Sequence, residues 1–152
     1  GPGRWEFLKD LVSRRPDRVI FGSGDVWNVN DIYAMLELTG VHGVSVARGC
    51  IGNPWIFREI KHFIQYGTHH APPTFLEKVE AVIEHLNTSI DWKGEKLAIA
   101  EMKRHYGNYF RGIEHFRETK MKLVTTNELQ ELQDILGHLK ASSESYIFSH
   151  SY

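Results

Sequence analysis

The sequence has a single cysteine among its 152 residues, and this scarcity excludes two kinds of structure. Cys50 has no second cysteine to pair with, so the chain holds no internal disulfide and no zinc site built from several thiolates. No apolar run approaches the roughly 20 residues that a membrane-spanning helix requires, and no charged-then-apolar leader opens the chain. The adjacent pair His69 and His70 lacks convergent metal ligands. We therefore expect a cytoplasmic protein without a membrane segment or a metal site.

Net charge is also nearly absent, but the charges are unevenly distributed. The 18 basic and 19 acidic residues sum to −1. Residues 93–122 carry eight basic and four acidic side chains, a sum of +4, whereas 63–92 and 123–152 each carry one basic and four acidic side chains. The neutral total therefore conceals one basic segment, which is the charge pattern expected of a surface that meets a polyanion.

The first half of the chain alternates helices and short strands. Apolar spacing predicts a helix over 4–14, a β-branched strand over 18–22, and a second helix that Asn28 and Asp31 cap and Gly40 ends. A second strand is predicted over 43–47, and Pro54 is placed at the first position of a third helix. This alternation predicts parallel strands and an α/β architecture.

The second half shows only helical periodicity. A capping box at Thr74 and Glu77 opens one helix, further helices are predicted over 95–111 and 114–123, and Thr125 with Glu128 is predicted to start the last. The fold class is therefore α/β followed by all-α, the latter a small helical bundle. We divide the chain into a tag remnant (1–3), an α/β portion (4–66), a helical domain (72–141) and a flexible tail (142–152).

Both predicted strands end in a glycine-containing turn that leads into a helix. Parallel neighbouring strands would bring these two turns to the same edge, where glycines allow close backbone approach and Arg48 adds a positive charge. Such paired loops are a known phosphate site at the closing strands of (β/α)₈ barrels. Plain turn chemistry is the alternative explanation. The candidate phosphate-binding residues are Ser23, Gly24, Asp25, Ala47, Arg48 and Gly49.

Three stretches resemble the tRNA-dihydrouridine synthases, in particular the bacterial B-type branch. They are VIFGSGDV at 19–26, ARGCIGNPWIFREI at 47–60 and MKRHYGNYF at 102–110, and they occur in the family's order. The resemblance implies that 4–66 is the C-terminal part of an FMN-binding TIM barrel and 72–141 a tRNA-binding domain. Two positions depart from the family pattern, because Ser23 stands where asparagine is usual and Ala47 where glycine is usual.

The resemblance also implies the chemistry of the parent enzyme and what this chain lacks of it. FMN would be reduced by NADPH, and uridine in tRNA would be reduced to dihydrouridine with a proton from a cysteine on an earlier strand. A complete barrel takes about 250 residues, and only two of its strands are predicted here. Cys50 does not match the catalytic cysteine and is interpreted as a packing residue. We expect no catalytic residue in this chain, no turnover by the chain alone, and FMN binding that is weak or absent.

The predicted helix at 95–111 places its basic residues on one side and its apolar residues on the other. Ala100 and Gly107 between the charges would leave room for a polyanion. An ordinary solvated helix face is the alternative, but the charge distribution and the family resemblance favour tRNA binding. The candidate RNA-binding residues are Lys96, Lys103, Arg104 and Arg111.

Two other functions and one self-interaction are also consistent with the sequence. The chain would suit a noncatalytic RNA-binding module, or a phosphate-binding piece of another flavin barrel enzyme. Two strands removed from a closed barrel expose a ladder edge and an unfilled interior face. Two hypotheses follow: the chain self-associates through this open barrel edge, or its missing portion was lost after purification.

Overall fold

The structure, a computed structural model, describes residues 3–146 in two compact units that divide between Ala71 and Pro72. Gly1 and Pro2 of the predicted tag remnant lie outside the described residues. Positions 147–152 of the predicted tail also lie outside them.

The first unit alternates helices with two short parallel strands, as predicted. Phe21 pairs with Gly43, Gly22 with Val44 and Ser23 with Ser45. Both strands have three residues, and the first begins three residues later than predicted. The elements are α1 (Trp5–Arg14), β1 (Phe21–Ser23), α2 (Val29–Thr39), β2 (Gly43–Ser45), a 3₁₀ turn (Arg48–Cys50) and α3 (Ile56–Tyr66).

The core of this unit lies on one face of the strand pair. Gly22 is the buried residue of β1, and a Cβ there would collide with Met35 of α2 and contact Leu8 of α1. Both helices therefore approach the strand backbone closely, which glycine permits. Phe21 points away from this core and is 65% exposed. The core residues are Val26, Ile32, Met35, Val41 and Ile56.

The predicted helix ends are correct where side chains form the cap. Asn28 accepts a hydrogen bond from the Asp31 amide at 3.0 Å and Asp31 accepts one from the Asn28 amide at 3.2 Å, which confirms the capping box of α2. Gly40 ends α2 in the left-handed conformation at φ 72°. Placing Pro54 at the first helical position is wrong, because a turn in which the Ile56 amide donates to Asn53 delays α3 until Ile56.

The described elements of the second unit are all helices, and turns or short loops join them. α4 (Phe75–Lys93) packs on α5 (Glu95–Tyr109) and α7 (Leu129–Ala141), and α5 packs on α6 (Arg117–Thr125). Thr74 and Glu77 form the predicted capping box of α4. Thr125 does not start the last helix, because it ends the preceding one, where its hydroxyl donates to the Met121 carbonyl at 2.8 Å. A 3₁₀ turn (Ser143–Ser145) follows α7.

An aromatic cluster extends this unit beyond its last α-helix. Phe75, Phe110 and Phe116 are buried and contact one another through their rings. Tyr146 stacks on Phe75 with ring centroids 4.3 Å apart. The part of the predicted flexible tail that the structure describes therefore packs on the helices, because its tyrosine adds apolar area to the cluster.

Tyr106 and Tyr109 on α5 provide a matched test of buried hydroxyl groups. The Tyr106 hydroxyl is buried with no hydrogen-bond partner among the described residues, and burial raises the pKa of Tyr106 to about 12. The Tyr109 hydroxyl lies 3.3 Å from His85 Nδ1. Because an unpaired buried polar group is destabilising, we expect Tyr106→Phe to leave the free energy of unfolding unchanged or raise it, and Tyr109→Phe to lower it by about 1 kcal/mol.

Denaturant titrations followed by far-ultraviolet circular dichroism measure both variants. Equal losses of stability in the two variants would contradict the assignment of an unpaired hydroxyl to Tyr106.

Candidate functional site

The loops after β1 and β2 lie together at one edge of the strand pair. Because the strands are parallel, their carboxyl ends meet at the same edge. A small pocket forms there, and five of the six candidate phosphate residues line it. The lining residues are Ser23, Gly24, Asp25, Val26, Trp27, Ser45, Ala47 and Arg48.

The sixth candidate, Gly49, does not line the pocket but lies where the two loops approach each other. It is buried, and a Cβ at this position would collide with the carbonyl oxygen of Val26 and lie 3.0 Å from Trp27 Cα. Only glycine lets the second loop approach the backbone of the first this closely. Gly49 therefore acts on the pocket by setting the distance between its two loops.

Arg48 supplies the positive charge of the pocket. Its guanidinium lies 3.4 Å from an Asp25 carboxylate oxygen and 5.1 Å above the Trp27 ring, and its side chain is 67% exposed. Asp25 also accepts a hydrogen bond from the Gly3 amide at 2.5 Å. An anion that enters the pocket would therefore compete with Asp25 for Arg48.

A side chain of α1 forms a hydrogen bond with the backbone of the first loop. Trp5 Nε1 donates a hydrogen bond to the Gly24 carbonyl at 3.0 Å. Gly24 and Asp25 both have positive φ angles, 115° and 52°. This tight turn orients the Asp25 carboxylate toward Arg48. Neither Trp5 nor Trp27 was predicted at this site, because each reaches it through a contact with a residue distant in the sequence.

Cys50 has the structural role predicted for it. Its thiol lies 3.0 Å from the Ala47 carbonyl, to which it can donate, and its side chain packs partly buried against the core of the first unit. These contacts are those of a small packing residue.

The second candidate surface is the solvent side of α5. Lys96 is exposed near its start, and Arg104 is exposed one turn beyond Ala100. Lys103 donates to the Asn127 side chain at 2.6 Å, and Arg111 donates to that of Asn108 at 2.9 Å. Arg111 lies beyond Tyr109, the last residue of the helix. We call Lys96, Lys103, Arg104 and Arg111 the basic face.

Other charged residues modify this face. A Cβ at Gly107 would lie 3.1 Å from the Lys120 ammonium of α6, so the space expected between the charges holds another cation. Glu101 accepts from Lys93 at 2.5 Å and lies 3.4 Å from Arg104. The hydrogen bond from Lys93 is the main cause that lowers the pKa of Glu101. The Glu101 carboxylate therefore lies beside the basic face. This negative charge was not predicted, because the predicted pattern comprised only the basic and apolar residues of this helix.

Two histidines pack at the boundary between α4 and α5. The rings of His85 and His105 have centroids 4.9 Å apart. Partial burial lowers the pKa of each histidine, and the positive charges of Lys93 beside His85 and of Arg104 beside His105 lower it further. Both rings are therefore mainly neutral at pH 7 and add little to the charge of the basic face.

Membrane-spanning helices and metal-ligand clusters are both absent from residues 3–146. None of the helices there has the length and apolar character needed to span a membrane. No group of three or more histidine, cysteine, aspartate or glutamate side chains in the described residues is arranged to hold a metal ion.

Two parallel strands that each lead through a glycine-containing loop into a helix place the first unit in the α/β class. The particular family follows from sequence comparison, because the dihydrouridine synthase (Dus) family profile matches residues 1–144. The chain therefore belongs to the dihydrouridine synthase family.

Curated relatives agree with this family. The chain is 30% identical over 139 residues to a probable tRNA-dihydrouridine synthase of Mycobacterium leprae, covering 91% of this chain and 36% of the relative. It is 36% identical over 115 residues to one of Treponema pallidum, covering 74% and 34%. It is 30% identical over 122 residues to tRNA-dihydrouridine synthase B of Pseudomonas putida, covering 80% and 35%. The chain thus spans little more than a third of the length of these relatives.

Gly49 can be tested against Gly137, which lies in α7 in open space, because a Cβ added there would have no neighbour within 4 Å. We expect Gly49→Ala to destabilise the first unit by about 1–3 kcal/mol, because the added methyl forces the two loops apart. Gly137→Ala is expected to stabilise the second unit by roughly 0.5–1 kcal/mol through helix propensity.

Denaturant titration followed by tryptophan fluorescence measures the stability of Gly49→Ala, since three of the four tryptophans lie in the first unit. The same titration followed by circular dichroism measures the stability of Gly137→Ala. A Gly49→Ala chain as stable as the wild type would show that the close approach of the loops is not required.

Proposed function

We propose that this chain is the C-terminal portion of an FMN-dependent tRNA-dihydrouridine synthase of the cytoplasm, which reduces uridine in tRNA with NADPH as the reductant. One observation carries the proposal. This chain of the dihydrouridine synthase family combines a pocket formed by two strand-end loops with a separate helical unit that has a basic face. Residues 4–66 would contribute the last strands of the TIM barrel, and 72–141 would bind tRNA.

The pocket suits the phosphate of FMN in its chemistry. Arg48 offers an exposed guanidinium, and the backbone at Gly24 comes without a side chain to obstruct an oxygen atom. The hydroxyl of Ser23 can donate to a phosphate oxygen, although a side-chain amide at that position would reach further. When bound, FMN supplies the hydride for reduction of the uracil ring. In this chain, Ser23, Gly24, Asp25, Ala47 and Arg48 would surround the phosphate, and Gly49 would keep their loops together.

The open face of β1 and β2 supports the barrel interpretation. Phe21 and Val19 are largely exposed on or beside β1, on a sheet that has two strands within the described residues. Apolar side chains on the inner face of a barrel are normally covered by side chains of the other strands. We propose that the remaining barrel strands cover them in the parent enzyme, and that a second copy does so when this chain is alone.

The basic face is proposed to contact the tRNA backbone. Lys96 and Arg104 are exposed and project from a helix whose other side is in the bundle core. Lys103 lies on the same side of α5, Arg111 follows the end of that helix, and each donates to an asparagine side chain. Fixed cations of this kind displace counterions from RNA phosphates, which makes binding depend on salt.

Arg104→Glu tests this contact. We expect weaker binding to an unmodified tRNA transcript and a flatter plot of log affinity against log salt, by about 0.7–0.9 for each phosphate that is no longer neutralised. Lys140→Glu is the control, because it makes the same charge change on α7, where Lys140 pairs with Glu80 at 2.9 Å.

Affinity measured by filter binding at several salt concentrations gives both slopes. Identical slopes for wild type and Arg104→Glu would remove Arg104 from the interface, and an equal effect of Lys140→Glu would indicate a nonspecific charge effect.

Catalysis is expected to need the part of the enzyme that lies outside this chain. Cys50 packs beside the Ala47 carbonyl, and the family's proton-donating cysteine belongs to an earlier strand. We therefore expect the purified chain, given FMN, NADPH and unmodified tRNA, to form no dihydrouridine. Nucleoside mass spectrometry of the recovered tRNA detects the product, and its appearance would refute the assignment of catalysis to the missing strands.

A further inference from the structure

Trp92 is the most exposed large apolar side chain of the described residues, at 84%. It occupies the last turn of α4, one residue before Lys93. Tryptophan contributes more apolar area than any other side chain, and leaving it in water gives up the stabilisation that burial would provide. Trp92 therefore contributes little to the packing of the helical unit, and its position requires another explanation.

The position of Trp92 on α4 follows from that of His85. These residues are seven positions apart, which is two helical turns, so they lie on the same side of the helix. His85 faces α5, where its ring contacts those of His105 and Tyr109. Trp92 thus lies along the edge of α4 that borders α5, next to the corner at Gly94 where the two helices join.

The corner carries charges of both signs, with the carboxylates of Asp91 and Glu95 exposed beside two lysines. Lys93 follows Trp92 directly and is joined through Glu101 to Arg104 of the basic face. Lys96 is exposed in the first turn of α5. Trp92 therefore borders the same side of the helical hairpin that carries the basic face.

An exposed aromatic ring beside fixed cations has the chemistry that recognises an unpaired nucleotide. The ring offers a stacking surface for a base, while the lysine and arginine side chains hold the flanking phosphates. A purely apolar protein partner would fit this corner less well, because the neighbouring groups are charged. Between Trp92 and Arg104, Leu97 is the one other large apolar side chain that the structure shows as exposed.

We propose that Trp92 stacks on an unpaired base of RNA that is bound along the basic face. This inference rests on the proposed tRNA-binding function and adds to it a contact that is made with a base instead of with the backbone. Stacking does not depend on counterion release, so its contribution is distinguishable from that of the cations.

The experiment compares Trp92→Ala, Trp92→Phe and Leu97→Ala in the full 152-residue chain, with an unmodified tRNA transcript as the probe. We expect Trp92→Ala to weaken the affinity by about 5- to 100-fold without changing the salt slope. Trp92→Phe keeps an aromatic ring and should retain most of the affinity. Leu97→Ala, which removes an exposed apolar side chain five residues away, should bind like the wild type.

The possible outcomes separate the inference from the function on which it rests. If the wild-type chain does not bind tRNA, the proposed function fails and the inference fails with it. If the wild type binds and Trp92→Ala binds equally well, only the stacking contact is refuted, and a protein partner would then account for the exposed ring. A salt slope that flattens in Trp92→Ala would also refute stacking, because the loss would then be electrostatic. Circular dichroism confirms that each variant is folded.

Discussion

The parallel pairing of β1 with β2 is the constraint on which the first unit depends. Parallel strands send their following loops to the same edge, so a pocket arises there from two short loops that are 24 residues apart in the sequence. Gly49 then fixes how close the loops come, because its missing side chain leaves room for the backbone of Val26. Arg48 and Asp25 face each other as a consequence of this approach, and neither loop alone contains the resulting electrostatic site.

The helical unit is subject to a different constraint, because it must bury an apolar core while keeping charged side chains in water. α5 does so by turning Met102 and Tyr106 inward and Arg104 outward. Glu101 limits repulsion among the cations by accepting from Lys93. Lys120 of α6 lies over Gly107 and extends the positive surface beyond one helix. The positive surface of this unit is thus formed by three packed helices.

Features encoded by local contacts were predictable from the sequence, and features set by distant contacts were not. The capping boxes at Asn28 and Thr74 depend on residues three positions apart, and both are present. Thr125 and Glu128 have the same spacing, but Thr125 is used by the preceding helix instead, where its hydroxyl binds the Met121 carbonyl. The loop residues could be identified from glycine and strand patterns, whereas the contacts of Trp5 and Glu101 required the tertiary structure.

The corner between α4 and α5 consists of Gly94 alone, which has a φ angle of 81°. A one-residue connection leaves two packed helices almost no freedom to change their relative orientation. Groups on either side of this corner are therefore preorganised, and the protein would lose less conformational entropy on binding a ligand that contacts both than it would at a flexible loop. The length of a connection thus sets the entropic cost of using the two helices as one surface.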